Sequence, residues 1–193
     1  MTIACADGSH AADLPPAAAA AAAAVPRGTG RPGLLRIHDE AELRRVFGAF
    51  PTGVTAVAAL AGGMPLGLAA SSFTSVSLDP PIVSVCIARG SRTWPRLGRA
   101  RRLGISVLGA HQEQASRQLA AAGPDRFARL DWRATADGAV LVEGASAWLD
   151  CSVETAVPAG DHEMILLRVH ELDADPAVPP LVFHASRYRR LLP

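Results

Sequence analysis

MPLGLAASSFTSVSLDPPIVSVCIARGSRT, residues 64–93, is the stretch around which the rest of the chain is organised. Its first half is small and hydroxyl-rich, from Ala69 to Ser77. Pro80-Pro81 then marks a turn, and the β-branched run Ile82–Ala88 predicts a strand. The stretch closes on a basic, hydroxyl-bearing loop: Arg89, Gly90, Ser91, Arg92 and Thr93. Small residues let a flat ligand lie against backbone amides, whereas hydroxyls and arginines suit a phosphate. A phosphorylated aromatic cofactor would engage both halves.

Upstream, Asp39 followed by Glu42 resembles a capping box, and Leu43, Val46, Phe47 and Phe50 recur at helical spacing until Pro51. That pattern predicts a helix closing over a core. Pro51-Thr52-Gly53 reads as a turn into the strand Val54–Leu60, and Gly62-Gly63 as a hairpin turn returning through Met64–Leu68. Downstream, Leu103–Leu108 predicts a strand and His111–Ala122 a helix stopped by Gly123-Pro124. Trp148–Val157 and Glu163–His170 predict two longer strands joined by a turn at Pro158–Asp161. Strands joined mostly by short turns, with few helices between, point to a largely antiparallel β-barrel.

The chain has 193 residues, 49% hydrophobic and 19% charged, with a net charge of +1. That is enough for one domain with a real core, and nothing in the charge points to nucleic acid or an anionic membrane surface. Every basic residue other than histidine is arginine. Without lysine, Schiff-base chemistry and a P-loop are excluded. Three cysteines (Cys5, Cys86, Cys151) lack CxxC spacing, and the histidines form no HxH or HxxxH pattern. Neither a disulfide framework nor a metal site is expected, and a reducing cytoplasm is the expected compartment. No apolar run has the length of a membrane span. Met1–Gly33 is a low-complexity Ala/Pro/Gly leader, expected to be disordered and without a catalytic role. Asp7 and Asp13 stand before its alanine block Ala17–Ala24 where a signal peptide would carry basic residues.

Several residues could carry chemistry. Thr93 can cap a short helix with Pro95 in its first turn and Leu97 on its inner side, which would seat a phosphate; the same residues also fit an ordinary solvated turn. Ala69–Thr74 fits either a plain strand or one whose amides address the edge of a ring. His162, at the start of a strand after Gly160-Asp161, can orient a ligand or exchange a proton near neutral pH, or it can simply be a surface histidine. Cys86 and Cys151 read as small buried hydrophobes, and Trp94, Trp132 and Trp148 as core or interface residues. Tyr188, the only tyrosine, sits in the basic segment Arg187–Arg190. No GxSxG or GxGxxG occurs, so hydrolase and Rossmann readings have no support.

In this order and spacing, FGAFPTGVTAV (Phe47–Val57), GLAASSFTSVSLDPPIVSVCI (Gly67–Ile87), SRT (Ser91–Thr93), DRFA (Asp125–Ala128), WLDC (Trp148–Cys151) and GDH (Gly160–His162) resemble the short-chain flavin reductase family. These are the small components of two-component flavin-dependent monooxygenases, and the resemblance runs from Leu43 to Leu191. It implies a mainly β domain over 34–193, an FMN-binding split β-barrel with antiparallel, Greek-key-like strands, working as a homodimer. The implied activity is NAD(P)H-dependent reduction of flavin, which then passes to a partner monooxygenase. FMN is the leading cofactor with FAD open, and NADH and NADPH are both open. By the same resemblance, Thr52, Ala69, Ala70, Ser71 and Ser72 line the isoalloxazine. Ser91 and Thr93, with Arg92, hold the phosphate, and Phe127 lies near the flavin tail. His162 is the catalytic candidate on the nicotinamide side, where Tyr188 helps close the pocket. Two positions depart from the family pattern: Ala69 stands where threonine is usual, and Arg168 replaces a common glycine. The first is expected to weaken flavin binding, the second to alter partner or nucleotide choice. Two other classes stay open: a non-catalytic flavin-binding protein, and a flavoenzyme that keeps its FMN and acts directly on an organic substrate.

Overall fold

The computed structural model describes residues 39–123 and 125–191. The leader expected over residues 1–33, with Cys5, lies outside them.

Helix α1 (Glu40–Phe47) starts as its sequence dictates: Asp39 is extended (φ −151°) and its carboxylate accepts from the Glu42 N–H at 2.7 Å. It does not close over a core. None of its residues is buried, and Val46, Phe47 and Phe50, the last 74% exposed, face outward. The reason is how its end docks. Gly48 O accepts from Ala185 N, which ties the helix C-terminus to the tail of the chain and leaves the apolar stripe uncovered.

Pro51 leads into β1 (Thr52–Gly53), β2 (Thr55–Ala61) and β3 (Met64–Ala70). Gly62 and Gly63, both at positive φ (65° and 80°), make the two-residue turn between β2 and β3. Then come β4 (Thr74–Leu78), a turn at Asp79-Pro80, β5 (Pro81–Ala88), the single-turn helix α2 (Trp94–Leu97), β6 (Leu103–Val107) and α3 (Glu113–Ala120). The last part holds the small hairpin β7 (Trp132–Ala134) and β8 (Val140–Val142), the 13-residue strands β9 (Ala147–Ala159) and β10 (His162–Ala174), and β11 (Val182–His184) and β12 (Arg187–Arg189). β9 extends two residues beyond the sequence expectation, so that only Gly160-Asp161 turns between β9 and β10; Gly160 supplies the positive φ (65°).

Seven strands form one antiparallel sheet in the order β3-β2-β6-β9-β10-β5-β4. The fold is mainly β, of the split-barrel type. The two ends of the order are consecutive in the chain, and the connection Ser71–Phe73 carries it from β3 to β4. At that point Ser72 Oγ accepts from Cys86 N (2.8 Å) and donates to Cys86 O (3.1 Å), so one hydroxyl latches the connection onto β5.

β2 is buried on both faces, which explains its unbroken small and apolar sequence. Val57 and Ala59 enter one core with Leu68, Val85, Ile87, Leu103, Ile105, Ile165 and Leu167. Ala56 and Ala58 face a second core with Val54, Leu108, Leu119, Phe127, Val140 and Leu181. Fully burying each large aliphatic side chain contributes ~1.5–3 kcal/mol. Small residues let the second layer close in. A Cβ on Gly104 would lie 2.0 Å from the Val140 carbonyl oxygen, so β8 can cross β6 only over glycine.

Candidate functional site

β5 ends at Ala88, where Ser91 N donates to Ala88 O at 3.0 Å and turns the loop Arg89–Thr93. The cap on α2 comes from Ser91, whose buried hydroxyl accepts from Trp94 N at 3.2 Å. This differs from the sequence expectation for Thr93. That residue already has helical dihedrals (φ −86°, ψ −41°), makes no side-chain cap, and accepts instead from Arg126 Nη1 at 3.0 Å. Leu97 is fully buried, as expected for the inner side of α2. One helical turn carries little macrodipole. The positive character of the site therefore comes from side chains.

A cavity of about 380 Å³ opens here, between β3, the loop and the chain around residues 122–127. Arg92, Arg96 and Arg126 line it together with Thr93, Gly67 and Phe127, and none of its lining residues is acidic. Phe127 is buried edge-on to Trp132 (centroids 6.5 Å apart), and its Cζ would lie 3.0 Å from a Cβ on Gly67. Glycine on β3 thus makes room for the ring. The turn that presents Arg126 and Phe127 is pinned from both sides: Gln118 Nε2 donates to the carbonyls of Arg126 (3.1 Å) and Ala128, and Phe127 N donates to Asp125 Oδ1 (3.1 Å). Concentrated guanidinium groups beside a hydroxyl suit a phosphate or pyrophosphate, and an aromatic wall suits what is attached to it. The donor set fits a phosphorylated flavin.

His162 reaches the same region from the β9–β10 hairpin. It pairs in register with Ala88, and Arg89 N donates to Asp161 O at 3.0 Å, so the hairpin tip abuts the basic loop. The half-buried imidazole has Nδ1 2.8 Å from Asp161 Oδ1. This hydrogen bond, then the imidazole charge, holds the Asp161 carboxyl below its ordinary range. A carboxylate only accepts, so a proton sits on His162 Nδ1, and Nε2 is not part of this bond.

The other expected positions are placed as follows. Ala69 and Ala70 are fully enclosed, with methyls in the second and first core respectively. Further along the segment Ser71 is buried and Ser72 half-buried. Thr52 is half-buried on β1 and pairs with Phe183. Tyr188 is held on α3: its hydroxyl lies 2.9 Å from Ser116 Oγ, the Arg117 guanidinium stacks 4.9 Å from its centroid, and Phe183 packs against its edge. These contacts place it with α3 and β11 and do not bring it to His162. Arg168 is neutralised by Glu154 across the strand pair (2.9 Å). Cys151 is fully buried, and burial, reinforced by the Asp150 charge, pushes its thiol up to about 12. Cys86 is only half-buried. A second cleft, of about 480 Å³ with His111, Arg129 and Glu143 in its wall, includes none of the expected site residues.

Sequence reasoning missed Arg126 and Arg96. Arg126 stood inside the DRFA motif, but its partner Thr93 is 33 residues away and only the fold joins them.

Residues 47–192 match the family described as flavin reductase like domain. The chain belongs to this family. Among flavin reductase relatives, a probable flavin reductase of Rhizobium meliloti is 46% identical over 134 residues, 69% of this chain, which spans 43% of that protein's length. The reductase subunit of a flavin-dependent monooxygenase from Mycobacterium tuberculosis is 34% identical over 80% of this chain and 84% of its own. A solved NADH:FAD oxidoreductase of Streptomyces globisporus superposes with a TM-score of 0.78 at 40% identity, covering 85% of this chain and 100% of that one. The same oxidoreductase has been solved with NAD and FAD fragments. Among the described residues, no helix is long and apolar enough to cross a membrane.

Proposed function

We propose that this flavin reductase family member is a cytoplasmic NAD(P)H:flavin oxidoreductase that releases reduced flavin to a partner monooxygenase. The observation that carries the reading is the cavity where Arg92, Arg96, Arg126 and Thr93 meet Phe127, on the loop whose Arg89 bonds the hairpin tip next to His162. FAD and NADH are the proposed pair, since the S. globisporus relative is named for both. FMN, the family-weighted expectation, shares the phosphate that this cavity suits.

When bound, flavin supplies the two-electron acceptor for hydride from a reduced nicotinamide. The protein's part is to bind, orient and exclude. Ser91, Arg92, Thr93 and Arg96 hold the phosphate end, with Arg126 bonded to Thr93 behind them, and Phe127 packs along the tail. Thr52, Ser71 and Ser72 support the ring, while Ala69 and Ala70, enclosed in the two cores, hold that segment in place. His162, its Nδ1 proton fixed by Asp161, offers Nε2 to the carboxamide side of the nicotinamide. Holding two flat rings at contact distance lowers the barrier chiefly through orientation.

A homodimer is proposed as the working form. Val46, Phe47 and Phe50 on α1, Val76 and Leu78 on β4, and Val157 and Met164 on the β9–β10 hairpin are exposed apolar side chains of the kind that mark contact surfaces.

Purified protein assayed for NADH and NADPH oxidation with added FAD, FMN or riboflavin tests the reading. Turnover that rises and saturates with free flavin supports a diffusible-flavin reductase and ranks both cofactors. Flavin binding with no NAD(P)H oxidation overturns it.

A further inference from the structure

We propose that Arg126 is a positioning residue that fixes the Thr93 hydroxyl as a phosphate donor, making the cavity selective for phosphorylated flavins over riboflavin. This rests on the flavin reading and adds a residue and a selectivity to it. A guanidinium only donates, whereas a hydroxyl has one proton and two lone pairs. With Arg126 Nη1 donating to Thr93 Oγ1 at 3.0 Å, the hydroxyl proton must point away from Arg126. Both residues line the cavity, and the proton is left to an acceptor there.

Arg126 is itself held by the fold. The same Nη1 lies 3.3 Å from Gly67 O on β3 and 3.4 Å from Leu119 O on α3. One nitrogen thereby joins three elements, and none of these bonds uses Nε or Nη2. The side chain is pre-set before a ligand arrives, and it acts on the ligand through Thr93. Arg92 and Arg96 add charge, but both are exposed on the rim. A rim charge contributes less to discrimination than a half-buried donor set in place by backbone carbonyls. Riboflavin has no phosphate to accept these bonds.

The test compares dissociation constants for FAD, FMN and riboflavin, read by flavin fluorescence in the full-length protein without nicotinamide. Wild type should favour the phosphorylated flavins by tenfold or more. Losing a hydrogen bond to a charged group weakens binding by about 10- to 100-fold. Arg126→Ala and Thr93→Val should each lose about that much for FAD and FMN and leave riboflavin unchanged, and Thr93→Ser should keep wild-type selectivity. The double variant should lose less than the product of the single losses, since both act on one hydrogen bond. Equal weakening of riboflavin and FAD in Thr93→Val, which leaves the Arg126 anchors intact, would overturn the proposal. So would a selective wild type whose variants stay selective, and that result would leave the flavin reading standing. A wild type that binds none of the three flavins would remove the flavin reading itself.

Discussion

At the scale of single residues, His162 and Asp161 are the pair whose chemistry can be read separately from binding. His162→Ala should lower kcat/KM for the nicotinamide by ~10-fold or more, because an orienting contact is lost. The flavin dissociation constant should stay within roughly twofold, as for a group that touches only the second substrate. Stopped-flow reduction beside a flavin titration separates the two, and equal loss in both would remove His162 from the nicotinamide side. The pair also has a pH signature. Asp161 has its folded pKa depressed by His162, so its contribution to stability is complete above the ordinary carboxylate pKa of 3.8 and is lost as pH falls through the depressed value. In His162→Ala the Asp161 carboxyl carbon should titrate at higher pH by NMR; an unmoved midpoint would mean that the hydrogen bond does not form in solution.

At the scale of elements, the tightest crossing is that of β6 under β8. Gly104→Ala would drive a methyl into the Val140 carbonyl, and the β7–β8 hairpin must lift to admit it. The expected cost is about 3 kcal/mol, a fall in Tm of roughly 6–12 °C for a chain of this size. A melting curve within about 2 °C of wild type would show that the hairpin yields freely. What the sequence disclosed at this scale follows the range of the interactions. The Gly62-Gly63 turn, the Asp39 cap and the apolar runs of β2, β5 and β6 are specified by neighbouring residues and could be read directly. The strands β1, β7, β8, β11 and β12 have two or three residues each, too few for an alternation to declare itself, and β1 pairs only with β11 at the far end of the chain. No periodicity can announce them. The site divides along the same line. Ser91, Thr93, Phe127 and His162 sit in local patterns, whereas the link from Arg126 to Thr93 and the diversion of Ser72 to Cys86 exist only once the sheet has formed.

For the whole molecule, the outward stripe of α1 and the nearly bare Leu78 (94% exposed) are the surfaces a second subunit would cover. Light scattering should give twice the chain mass of 20.0 kDa for wild type, and the Phe50→Asp, Leu78→Asp double variant should shift toward 20.0 kDa. Both side chains lie outside the cores, so secondary structure should be retained. A wild type at 20.0 kDa would remove the dimer. The Ser72 latch has a separate consequence for how these molecules behave in a crowded solution. β4 departs from β5 before Cys86, and the N–H and C=O of Cys86 would otherwise stand as an open strand edge. Unpaired backbone of that kind templates the addition of a foreign strand, the first step toward aggregation. By occupying both groups with one hydroxyl, Ser72 closes that short length of β5 to any strand but its own chain's.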